Sequence, residues 1–166
     1  NGTWAPIKTI PATDSATYAY LATGLTFNVN HWFGVTATDT AGNESTRAQG
    51  YLNPKDELAP GKPGLTLTDP PADDGDTLQL NIARSADDGA GANDVSHYRI
   101  YHKVGAGAYS LLTTVPATGA ASYVYVATGL TRGAVHGFGV SARDRSGNES
   151  AKTEASATPA DTTPAQ

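Results

Sequence analysis

A chain of 166 residues, 39% apolar and 16% charged with a net charge of −5, has room for one domain of about 100 residues and part of another. Its balance excludes both a disordered acidic tail and a basic nucleic-acid binder. The absence of Cys excludes disulfides, thiolate metal sites and cysteine nucleophiles. No run approaches the roughly 18 apolar residues that a membrane helix needs, so no membrane insertion is expected of this segment.

Read against itself, the chain carries a repeat. Residues 2–45 match residues 107–150 without a gap, with 23 of 44 positions identical at an offset of 105. The shared runs include Ala22-Thr23-Gly24-Leu25-Thr26 with Ala127-Thr128-Gly129-Leu130-Thr131, and Gly42-Asn43-Glu44-Ser45 with Gly147-Asn148-Glu149-Ser150. A unit of about 105 residues is expected. Residues 1–52 are read as the latter part of one copy, 53–63 as a linker, 64–158 as a whole copy and 159–166 as the start of the next linker. The linker 53–63 carries Pro54, Pro60 and Pro63, which cannot continue a helix or a central strand.

Within the complete copy, alternation of apolar and polar residues predicts seven strands, at residues 65–68, 78–83, 98–104, 109–115, 122–127, 135–142 and 151–158. The separators are turn chemistry: Asp69-Pro70-Pro71, Asp73-Asp74-Gly75, Asp87-Asp88-Gly89, Gly105-Ala106-Gly107 and Ser146-Gly147-Asn148. Seven short strands with no helix of three turns predict an all-β, immunoglobulin-like antiparallel sandwich.

The run from Thr128-Gly129-Leu130-Thr131 through Phe138-Gly139-Val140-Ser141-Ala142-Arg143-Asp144 to Ser146-Gly147-Asn148-Glu149-Ser150 resembles the corner, strand F and F–G turn of the fibronectin type III family. The form it resembles is that of microbial surface and secreted proteins, in tandem copies. Two positions depart from the family. Ile82 lies near the place of the usual core Trp of strand B, and His136 and His31 stand where the family has the Tyr that opens strand F. An imidazole there keeps a donor and part of the packing. His97 and His102 fall on strand C with no visible partner. In strand E, Tyr123, Tyr125 and Ala127 share a face, as do Tyr18, Tyr20 and Ala22 in the first copy; the family pattern turns this face inward. The resemblance makes residues 1–52 strands C′, E, F and G alone. Strands A, B and C are then expected either to precede Asn1 in a longer polypeptide or to be lent by a neighbouring chain.

Candidate sites lie on loops. Asp87, Asp88, Asn93 and Asp94 place four oxygen-bearing side chains within eight residues of the B–C loop, the donor type that calcium takes, although the spacing is not that of an EF-hand. Asp, Asn and Gly also build turns unaided. Sequons occur at Asn1, Asn43 and Asn148. No catalytic residue and no other cofactor is expected. The reading is a non-catalytic structural or adhesive module of an extracellular or cell-surface repeat array. Its partners would be neighbouring copies of the same domain, in cis or in trans, with surface glycan or protein as further ligands. The alternative is an accessory spacer region of a secreted carbohydrate-degrading or proteolytic enzyme.

Overall fold

The computed structural model describes residues 3–71 and 74–161; the sequon at Asn1 and residues 162–166 of the second linker lie outside them. By contact density the chain forms two compact units, residues 1–56 and 57–166.

The second unit is a two-layer sandwich. One sheet has the order β3-β4-β7, made of Gly64–Thr68, Leu78–Ala83 and Ser122–Ala127. The other has the order β6-β5-β8-β9, made of Ser110–Pro116, Val95–Val104, His136–Asp144 and Thr153–Ala157. Every pairing is antiparallel. The predicted strands all form, with ends shifted by up to three residues. The largest shift is at β5, which begins at Val95. A bulge between Val95 and His97 leaves Ser96 outside the pairing with β8, and its hydroxyl donates to the carbonyls of Arg143 and Asp144.

The period of two decides what is inside. Leu78, Leu80 and Ile82 of β4 face Tyr98 and Ile100 of β5 and Phe138, Val140 and Ala142 of β8, all fully buried. Ile82, near which the resemblance sets the family's Trp, thus fills core volume. Tyr123 and Ala127 are also buried and Tyr125 packs on the same core, so the Tyr face of strand E points inward.

The first unit is smaller than its sequence suggests. Among its described residues only β1 (His31–Val35) and β2 (Ala48–Leu52) form strands. They pair with His31 opposite Leu52 and Val35 opposite Ala48. The same register recurs 105 residues on, with His136 opposite Ala157 and Val140 opposite Thr153. The expected C′ and E strands of this unit are not formed. The reason is pairing: in the complete copy E bonds to B and C′ bonds to C, and among the described residues of this unit neither B nor C has a counterpart. F and G bond to each other, so they persist. Even so, Tyr18 keeps a local contact of its complete counterpart. The Thr13 amide donates to the Tyr18 hydroxyl at 2.9 Å, as the Thr118 amide does to that of Tyr123 at 2.8 Å.

Candidate functional site

A sandwich offers its loops, its faces and the two places where the chain enters and leaves. In the second unit those two places are at opposite ends. β3 begins at Gly64 opposite Ala83, beside the B–C loop, while β9 ends at Ala157 opposite His136, beside the corner.

The incoming segment is tied to the body. Pro60 and Pro63 are buried, the Gly61 amide donates to Asp87 Oδ2 at 2.7 Å, and the Leu58 carbonyl accepts from Asn148 Nδ2 at 3.4 Å. The Thr153 hydroxyl donates to the Pro63 carbonyl. At the far end Pro159 is fully buried and the Ala160 amide donates to Asp69 Oδ2 at 3.0 Å. Asp161 bridges to Asp74 and accepts from Arg132 at 2.9 Å; that ion pair is exposed and worth little alone. Gly75, at φ 74°, lies under this exit: a Cβ there would sit 2.7 Å from the Asp161 amide nitrogen, so only glycine fits.

Three of the four candidate side chains of the B–C loop make hydrogen bonds within the fold. Asp87 Oδ1 accepts from the Ala92 amide at 3.2 Å while its Oδ2 holds Gly61. Asp88 is buried and accepts from the Gly119 amide at 2.9 Å, the Tyr98 hydroxyl at 2.8 Å and the Tyr123 hydroxyl at 2.5 Å. Asn93, at φ 51°, accepts from the Gly89 amide at 3.0 Å, and the Asp94 carbonyl accepts from the Arg145 amide at 3.0 Å. Asp87, Asp88 and Asn93 therefore direct side-chain oxygens at backbone and hydroxyl donors of this loop and its neighbours. Burial, with the Asp88 carboxylate alongside, pushes the Tyr98 hydroxyl well above the usual phenol range.

The two described sequon asparagines are turn parts. Asn148 Nδ2 donates to Asp144 Oδ2 at 2.8 Å, and Asn43 Nδ2 donates to Asp39 Oδ2 at 2.8 Å. A glycan on either nitrogen would replace one of its two hydrogens and leave the other to make that bond.

Both corner histidines act as their positions suggest. His31 Nε2 lies 2.9 Å from the Thr26 carbonyl and His136 Nε2 lies 3.1 Å from the Thr131 carbonyl. His102, read from sequence as lacking a partner, has one: its Nε2 is 2.9 Å from His136 Nδ1, with the rings stacked at 5.2 Å. Donation by His136 Nε2 leaves its Nδ1 as a lone pair, so His102 Nε2 carries the proton between them. The pairing was hidden because a single β residue does not reveal its neighbour across a sheet 34 positions away.

Burial, then the neighbouring His136, lowers the His102 pKa; burial, then Arg143 and Arg99, lowers that of His97. A histidine whose folded pKa lies below its unfolded value stabilises fully above the unfolded value and loses that contribution as pH falls through it. Unfolding free energy in urea is therefore expected to be level from pH 8 to 7 and to decline from about pH 6.5 toward 5. His102→Gln should remove part of that decline; an unchanged slope would refute the assignment.

No protein-family model matches the chain. Exoglucanase B of Cellulomonas fimi is 31% identical over 158 residues, which is 90% of this chain and 13% of that protein. The chain thus spans about an eighth of the length of that curated relative. A Fn3-like protein from Clostridium thermocellum is 24% identical with a TM-score of 0.45, covering 60% of this chain and 92% of that one. The fn3 domain of human collagen alpha-1(XX) chain is 22% identical with a TM-score of 0.47, covering 68% and 94%. With three strands, A-B-E, facing four, C′-C-F-G, and a corner side chain bonded back to the backbone, the complete copy has the immunoglobulin-like antiparallel β-sandwich fold of fibronectin type III domains.

Proposed function

We propose that the chain is a non-catalytic spacer of fixed length within a larger secreted, polysaccharide-acting protein. One observation carries the spacing role: the complete domain anchors its own entry at residues 58–63 and its own exit at residues 159–161, at opposite ends. A domain anchored so cannot swing on its own termini, and its long axis becomes a defined step. That step is about 35 Å, the length of a ten-residue strand such as β5. The polysaccharide setting is supported by the 31% identity to a protein named as an exoglucanase. Of the two settings weighed from sequence, this favours the enzyme accessory over the adhesive array.

The chain has no native Cys, so spin labels at Ala59→Cys and Thr158→Cys report only the chosen pair. Pulsed electron resonance is expected to give one narrow distance peak near 35 Å. A broad distribution, or a centre below about 25 Å, would sink the spacer reading.

A further inference from the structure

The two copies differ along strands F and G. At the 105-residue offset the inward positions of strand F are kept: His31 and His136, Phe33 and Phe138, Val35 and Val140. Of the outward positions Gly34 repeats as Gly139 and the other three change, as do the inward positions of strand G. Trp32 stands where the complete copy has Gly137, Tyr51 where it has Ser156, and Gln49 where it has Glu154. The outward face of β1 and β2 has thereby gained two aromatic rings and lost a carboxylate.

Those rings form one patch. Trp32 and Tyr51 are cross-strand partners with ring centroids 4.8 Å apart, and they are 56% and 60% exposed. Two residues along the strand, Gly34 leaves room for a lid. The Arg47 side chain and the Trp4 ring lie where a Cβ would be, and the Arg47 guanidinium sits 4.2 Å over the Trp4 ring. Gln49 is directly opposite Gly34. The face therefore offers two exposed rings, a fixed third ring and two side chains rich in N–H donors. It carries no aliphatic side chain at these positions and no negative charge.

We infer that this face binds a neutral polysaccharide of equatorially substituted hexopyranoses, an inference that rests on the polysaccharide setting proposed above. Such sugars present flat C–H surfaces that lie against aromatic rings, and hydroxyls that accept from a guanidinium or an amide. Loss of the carboxylate suits an uncharged, hydroxyl-rich ligand. A protein partner would instead call for a desolvated apolar centre with a pocket for an anchor, whereas here the rings stand beside the N–H donors of Arg47 and Gln49.

The test uses the whole chain with insoluble cellulose and with soluble mixed-linkage β-glucan, followed by depletion assay and by Trp fluorescence. Both Trp residues, Trp4 and Trp32, lie in the first unit, so the fluorescence reads this unit. The double variant Trp32→Gly, Tyr51→Ser installs the residues that the complete copy carries at these places. It is expected to bind at least tenfold more weakly, while Trp32→Tyr retains most of the affinity. Binding unchanged in the double variant, or no binding by the unsubstituted chain, overturns the inference, as does concentration-dependent self-association abolished by the same substitutions. The spin-label distance across the complete domain reads the spacer proposal separately, so either can fail alone.

Discussion

Asp88→Ala is expected to cost the complete domain about 3–5 kcal/mol, from two buried hydroxyls and one half-buried amide left without an acceptor at about 1–3 kcal/mol each less what rearrangement recovers. The donors are the Tyr98 hydroxyl, the Tyr123 hydroxyl and the Gly119 amide. Against the roughly 5–15 kcal/mol that holds a domain together, this is a large share. Asp88→Asn should be nearly as costly, because the amide keeps one acceptor and turns two N–H groups toward those donors. Tyr98→Phe should cost less, since the Ser85 amide alone loses its acceptor. The second unit contains no Trp, so urea unfolding followed by Tyr fluorescence and far-UV circular dichroism reads it. A loss below about 1 kcal/mol for Asp88→Ala would show that the network does not hold the B–C end together.

That network marks the boundary of what is legible in sequence. The strands were legible because alternation is a local property. Leu78, Leu80 and Ile82 alternate with Gln79 and Asn81, and only one arrangement buries the three together. The corner was legible through the resemblance, which gives His136 a place and a donor role. Asp88 was legible only as an acid in a loop. Whether such an acid waits for a cation or accepts from Tyr98 and Tyr123 depends on strands ten and 35 residues away. The same limit hid the pairing of His102 with His136 and of Glu149 with Arg99.

The first unit shows the converse limit. Tyr18 and Tyr20 carry the alternation of strand E, yet no strand forms there among the described residues, because a strand is completed by its neighbour and not by its own pattern. Comparing the copies position by position recovers something that neither alternation nor resemblance supplies. The inward residues of strand F repeat because the core constrains them, while Trp32 and Tyr51 are outward changes that this packing does not require.

Glu149→Gln is expected to flatten the acid limb of the stability profile of the complete domain. Burial alone would raise the Glu149 pKa. Hydrogen bonds from Ser141 and Tyr101, each at 2.6 Å, and from Arg99 at 2.7 Å outweigh it and pull the value down to about 2. A carboxyl whose folded pKa lies below its unfolded value near 4.5 contributes stability above pH 4.5 and loses it as pH falls toward 2. With 28% of the side chain exposed, screening trims this to about 2 kcal/mol. The wild-type and Glu149→Gln curves, measured by urea unfolding at successive pH values, should therefore lie about 2 kcal/mol apart at pH 7 and converge near pH 2. Arg99→Gln separates the charge from the hydroxyls: Ser141 and Tyr101 still donate, so a substantial part of the acid slope should survive. Curves that stay parallel from pH 7 to 2 would show that Glu149 titrates alike in the folded and unfolded chain, and that these three donors do not hold its charge.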